Sequence, residues 1–283
     1  MTDQEVATTN EDQGMLPFEE MSEADIRKLA GGQEQNEGLP RLSINHAAEA
    51  EDGTALPRGK WMIQDPEQDG KTIFADEVIV QLLAKRFSYS VWDNDENKFS
   101  VQTVHTSSLN EIFYDSAGGY KCGKLSKADI EDLPKKSPEA VAQAAIKCNQ
   151  ILYGIATINK GVGTDGKKAT CDNVPFVWYT KGMSFMPVAD YLKILQKQKK
   201  DFYNVKTVLG TPERVAQGKN VYYHANQPTT DGPADFGKKE YDTMLEFNKI
   251  SDGFTQRVMA DFHKNTNEGK DIDLAAELEE AAA

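Results

Sequence analysis

Cysteine is scarce: three in 283 residues, at positions 122, 148 and 171. An odd and widely spaced set excludes a disulfide framework that closes all of them. Cys122, Cys148 and Cys171 also lack the C-x2–4-C knuckle of a structural zinc site, and Cys148, close to Ile146 and Ile151, reads as a core thiol. Long apolar runs are missing too, and no stretch approaches the ~20 residues that a membrane span needs. The opening segment MTDQEVATTNEDQGM has neither a basic n-region nor an apolar h-region, so no secretory signal is expected. There is no G-x-S-x-G and no H-E-x-x-H, which removes the commonest hydrolytic patterns. No β-α-β alternation is visible, which argues against a Rossmann-type sheet. The expectation is a cytoplasmic, non-enzymatic protein without cofactor or metal (host cytoplasm if viral).

One near-motif remains. Gly161-Val162-Gly163-Thr164-Asp165-Gly166-Lys167-Lys168 approaches the P-loop pattern and follows a candidate strand. Its last position is Lys168 where a magnesium-binding Ser or Thr is needed. The following Ala169 to Pro175 segment is also unsuited to the helix whose N-terminus would hold phosphates. A mobile hairpin-type loop is the better reading.

Charge is abundant and uneven. The chain carries 32 basic and 45 acidic residues, a net charge of −13. Residues 1–55 hold 13 acidic and 3 basic residues, and residues 264–283 hold 6 and 2, so the middle holds 26 acidic and 27 basic. The acidity belongs to the ends. Between Phe176 and His224 eight basic residues face only Asp190, Asp201 and Glu213. A locally basic body with acidic ends can bind a polyanion and stay acidic overall.

The expected organisation is a disordered acidic arm over 1–38, one domain over 39–263 and an acidic tail over 264–283. Within the arm, Ser22 and Asp25 resemble a capping box for a short helix. Strands are predicted at Leu42 to Ile44, on both sides of an Asp69-Gly70 turn, and over Val78 to Trp92, which pairs with Phe99 to Val104. Further strands are predicted over Ile151 to Ile158 and Pro175 to Thr180, with a flexible loop from Asn159 to Asn173 between them. Tyr203 to Leu209 and Asn220 to His224 read as a hairpin around a basic loop. Helices are predicted from Pro138, capped by Ser137, from Pro187, and from Lys239 to His263. About seven strands and three helices give a mainly β fold with inserted helices (α+β): an OB-like twisted antiparallel barrel with peripheral helices.

Aromatic and basic residues are interleaved on three strands. In Lys85-Arg86-Phe87-Ser88-Tyr89, positions 85, 87 and 89 share one face. Trp178-Tyr179-Thr180-Lys181 and Lys219-Asn220-Val221-Tyr222 repeat the mix. Such faces offer rings for bases and cations for phosphates. Lys85, Arg86, Lys181, Lys206, Arg214 and Lys219 are the candidate phosphate contacts. Phe87, Tyr89, Trp92, Tyr179 and Tyr222 are the candidate stacking residues.

The β-rich opening after LPRLSI, the KRFSYSVWD strand, the FVWYTKGMSF passage, the NVYYHA strand and the acidic C-terminal tail carry a resemblance. Together they resemble phage-type single-stranded DNA-binding proteins with an OB-fold, over about residues 39–263. The resemblance implies a sheet groove that binds single strands by stacking and phosphate contacts. It also implies an acidic tail that covers the groove or recruits replication proteins. The chain departs from the family in its long acidic N-terminal arm and in ending on Ala281-Ala282-Ala283 where family tails often end on an aromatic residue. The expected function is to coat and protect replication or recombination intermediates, largely independent of sequence. The expected partners are single-stranded DNA and replication or recombination proteins, with no membrane. Two alternatives stand beside it: a virion-associated or structural scaffold, and a nuclease-like enzyme.

Overall fold

The computed structural model describes residues 38–281 except positions 51, 69, 94, 218 and 219. The chain divides between Gly38 and Leu39, and the acidic arm before that point, with its expected capping box, lies outside the described residues. From Leu39 onward the architecture is mainly β, with antiparallel strands and a few helices.

In chain order the strands are β1 (Ser43–Ile44), β2 (Trp61–Asp65), β3 (Lys71–Ala75), β4 (Val78–Asp93), β5 (Lys98–Gln102), β6 (Lys147–Gly163) and β7 (Lys168–Thr180). They continue as β8 (Val205–Leu209), β9 (Glu213–Gln217), β10 (Asn220–His224) and β11 (Thr229–Pro233). The helices are α1 (Lys127–Glu131), α2 (Pro138–Ala145), α3 (Phe185–Lys197) and α4 (Lys238–Ala281). Among the described residues no helix is long and apolar enough to cross a membrane.

The spine is the β4–β6 ladder, which runs from Ile79 opposite Thr157 to Ser90 opposite Lys147. Beyond Thr157 the same edge of β6 pairs with β3, from Gly161 to Gly163, so β3 and β4 lie end to end with a break at Asp76-Glu77. β7 takes the other edge of β6. The free edge of β4 carries β8 near Val78 and β5 near Ser90. The full path is β1-β2-β3-β6-β4-β8-β11, and its end strands do not pair with each other. The sheet is therefore open and not the closed barrel expected from the sequence. The two longest strands take different partners at different levels, which branches the ladder where a barrel would need one ring.

The ladder has a bulge between Leu82 and Ala84, with Gly154 opposite. A Cβ on Gly154 would sit 2.3 Å from the Gln81 carbonyl oxygen and 3.1 Å from the Phe176 ring. Glycine here lets the two backbones and the ring meet.

Alternation along β6 buries both of its faces. Leu152 joins Trp61, Val80, Leu82, Phe176 and Trp178 in the larger core, which Val188 of α3 also enters. Ile151 and Tyr153 point the other way and join Leu83, Ala84, Val177 and Phe247 of α4. That double burial explains the unbroken apolar run Ile151 to Ile158.

The β2–β3 hairpin, the long β4 strand and the β4–β5 hairpin form as expected, with Asp69 of the first turn outside the described residues. Ser137 caps α2, its Oγ accepting the Ala140 N–H at 3.1 Å, with Pro138 in the first turn. Several expectations are corrected. Residues 159–173 form the outer arms of the β6–β7 hairpin and not a loop. β8 pairs with β4 and β11, while β10 pairs with β9, so the expected β8–β10 hairpin does not exist. The P-loop-like stretch is the β6–β7 turn, with Gly166 at φ +72° and no helix after it.

α4 begins one residue before its expected start and continues past His263 to Ala281. Its buried stripe is Phe247, Ser251, Val258 and Phe262, while Tyr241 and Leu245 face outward. Phe254 stacks on His105 at 4.2 Å, and His105 Nδ1 lies 3.1 Å from Ser251 Oγ. Burial, and then the Arg86 guanidinium, push the His105 imidazole down from 6.5 to about 4. Between those two values the unfolded chain holds a proton that the folded chain does not. Acidification through that window is expected to remove about 2–3 kcal/mol of stability, complete near the lower value and absent above about pH 7. Urea midpoints of wild type and His105→Gln across pH 4–7.5 check this, since the variant should lose the His105 share of the slope.

Candidate nucleic-acid interface

The segment before β1 runs beside β7. The Val177 N–H donates to the Pro40 carbonyl at 2.9 Å and the Leu42 N–H to the Val177 carbonyl at 3.0 Å. This parallel contact sets Arg41 beside Tyr179, its Cζ 5.5 Å from the ring centre. Asn45 then turns the chain, donating through Nδ2 to the Ala47 and Pro57 carbonyls. The turn brings up Gly59, at φ +71°, whose absent Cβ would lie 2.3 Å from the Tyr223 ring. The ring of Tyr223 thus packs on a bare glycine backbone, and Arg58 lies 5.9 Å from the ring centre. The strand β10 is tied down where the Ala225 N–H donates to Ser184 Oγ at 3.0 Å.

These contacts enclose a cleft of about 560 Å³ between β1, the end of β7 and β10. Arg41, Lys181, His46 and His224 line it, and among the described residues no carboxylate does. The nearest acidic partner is Glu213, 3.9 Å from His224. Among the described residues Arg41, Arg58 and Lys181 make no ion pair. Burial first, then the neighbouring Arg41 and Lys147, lowers the Lys181 pKa. Burial, then Arg58, lowers that of His46. Like charges crowded without a counter-charge favour an incoming anion. Tyr179 and Tyr222 also line the cleft, 37% and 43% exposed.

A second cleft, of about 670 Å³, lies where β4 and β6 meet α3. Lys85 and Phe87 line it, opposite Phe185 and the lysines at 193, 199 and 200. The segment Lys181 to Met186 borders both clefts: Lys181, Met183 and Ser184 line the first, Phe185 and Met186 the second. Two buried side-chain polar atoms among the described residues have no hydrogen-bond partner, Ser43 Oγ and Gln150 Oε1. Ser43 lines the first cleft and Gln150 the second.

The candidate residues therefore separate. Tyr179, Lys181 and Tyr222 come together in the first cleft, and Lys85 and Phe87 in the second. Phe87 is 8% exposed, packed 6.5 Å from Phe185. Arg86 points to the opposite face and donates to Asn248 Oδ1 of α4 at 2.5 Å, a tether and not a groove cation. Tyr89 is half-buried, edge-on to Phe113 at 5.0 Å, and burial pushes its hydroxyl up to about 12. Trp92 is exposed far along β4, edge-on to Phe99. Lys206 and Arg214 are exposed on β8 and β9, away from both cleft linings. Lys219 lies outside the described residues.

Sequence reasoning missed Arg41, which the parallel contact with Val177 sets beside Tyr179, and the pair of Arg58 and Tyr223, which the chain turn at Asn45 brings together. The cluster Lys197-Gln198-Lys199-Lys200 was a visible signal for the second cleft. Burial raises the thiol pKa of Cys122 to about 12 and of Cys171 to about 11, and raises that of Cys148, so all three favour the protonated form. Among the described residues no three His, Cys, Asp or Glu side chains are grouped to hold a metal. No protein-family model, no curated protein and no solved structure matches the chain.

Proposed function

We propose that this protein binds single-stranded DNA without enzymatic action, coating and protecting replication or recombination intermediates with little sequence preference. The observation that carries the reading is the carboxylate-free first cleft, in which Arg41 and Lys181 flank the exposed rings of Tyr179 and Tyr222. Cations spaced between rings suit a chain of phosphates and free bases, and every base has a face to stack. A paired base cannot present that face to a ring in a cleft, so duplex is the poorer ligand. The open sheet serves in this proposal as an OB-like platform. The acidic residues of 264–283 compete with DNA for the basic clefts and recruit replication or recombination proteins.

Fluorescence anisotropy of a labelled oligonucleotide tests the reading. Single-strand competitors of any sequence should displace the probe, duplex should not, and binding should fall with salt. Trp178 lines the first cleft and Trp92 is exposed at the β4–β5 end, so quenching of tryptophan emission reports on both places. Ending the chain after Asn267 is expected to tighten binding. That end point keeps the Asn265 side chain on the Ser116 carbonyl, which a cut after His263 would remove. Equal competition by duplex, or no binding at low salt by the shortened chain, would sink the proposal.

A further inference from the structure

We propose that the second cleft, between β4, β6 and α3, is a nucleotide pocket that reads a base through Gln150 and holds its phosphate on lysines. The chemistry comes from three features. The Gln150 side chain is 1% exposed, and its Oε1 has no partner in the protein. A buried carbonyl oxygen left in this state favours a ligand that brings an N–H donor. Beside it, Phe87 and Phe185 present rings with centroids 6.5 Å apart and planes tilted by 42°, a surface for a flat heterocycle. Lys85, Lys193, Lys199 and Lys200 line the cleft against a single carboxylate among the described residues, Asp201. Lys193 is ion-paired to Asp190 at 3.4 Å, which leaves Lys85, Lys199 and Lys200 for an anion. Lys85 sits over the Phe87 ring at 5.3 Å, and burial lowers its pKa, as expected of an ammonium lacking a counter-charge.

A flat ring bearing N–H donors and joined to a phosphate is a nucleotide. The volume, about 670 Å³, lies in the range of pockets that enclose one. The nucleotide is either free or one unit of a bound strand. In the second case the inference deepens the single-strand reading, and in the first it stands apart from it.

Calorimetric titration of the full chain with dAMP, dGMP, dCMP and dTMP, with inorganic phosphate as control, is paired with anisotropy on an oligonucleotide. Gln150→Leu leaves a shorter, apolar side chain and removes the acceptor. Lys199→Glu with Lys200→Glu alters only exposed side chains and guards against misfolding of the first variant. If the pocket takes free nucleotides, at least one binds more tightly than phosphate, and each variant weakens it by about tenfold. If it takes a nucleotide of the strand, the monophosphates fail while oligonucleotide binding weakens to the same degree in both variants. Phosphate binding as tightly as every nucleotide overturns the inference. So does oligonucleotide binding that is indifferent to Gln150→Leu when no nucleotide binds. In that last case, continued sensitivity to Tyr179→Ala would leave the single-strand reading intact.

Discussion

Replacing both Tyr179 and Tyr222 with alanine is expected to weaken single-strand binding at least thirtyfold while leaving the urea midpoint nearly unchanged. The two rings line one cleft and are exposed, so their removal opens no large cavity. Stacking a base on an aromatic side chain contributes about 1–3 kcal/mol, and two such platforms together about 2–6 kcal/mol. Tyr179 carries a second role, since Arg41 lies over its ring at 5.5 Å and loses that support in the variant. The phenylalanine versions at both positions keep the π-face and should retain most of the affinity. Anisotropy with a labelled oligonucleotide distinguishes the cases. Phenylalanine variants as weak as the alanine ones would assign the tyrosines a hydroxyl role and count against stacking.

Trp61→Ala is expected to have the largest effect on the fold, about 3–5 kcal/mol. The indole is 0% exposed and meets Trp178 edge-on, with centroids 5.2 Å apart and planes at 87°. Its Nε1–H donates to the Gly210 carbonyl at 2.8 Å, which ties β2 to the turn between β8 and β9. Alanine leaves both a cavity and an unpartnered carbonyl, and the two losses add. Trp178 precedes Tyr179, so the same variant should also loosen the first cleft and weaken strand binding beyond what unfolding explains. Urea denaturation checks the stability, and a loss below about 1 kcal/mol would place Trp61 outside the true core.

The local parts of the fold were legible, and the long-range ones were not. Asp69-Gly70 between two β-prone runs, the Val78 to Trp92 run and the Ser137-Pro138 cap each act through neighbours in sequence, so their signals are written within a few residues. β11 was invisible because Thr229 to Pro233 has no apolar alternation. It is mostly exposed and pairs only with β8 at the end of the sheet. The β6 arm of the β6–β7 hairpin reads as a loop because Asn159 to Asp165 is polar and glycine-rich, while the β7 arm does alternate, with buried Ala169 and Cys171 between exposed Lys168, Thr170 and Asp172. Alternation does place Lys85 and Phe87 on one face, and they do share the second cleft. It cannot say that α4 covers the other face, which is why Arg86 proves to be a tether to Asn248. Arg41 was missed because its position depends on a parallel contact with Val177, residues far apart in sequence.

The most direct test of the account is the salt dependence of binding to an oligothymidine, in wild type and in the double variant Arg41→Ala with Lys181→Ala. Each phosphate neutralised on a single strand adds about 0.7 to the slope of log K against log salt. The account predicts steep salt dependence in wild type and a slope lower by about 1.4 in the variant. An unchanged slope, or wild-type binding that does not respond to salt, would contradict it.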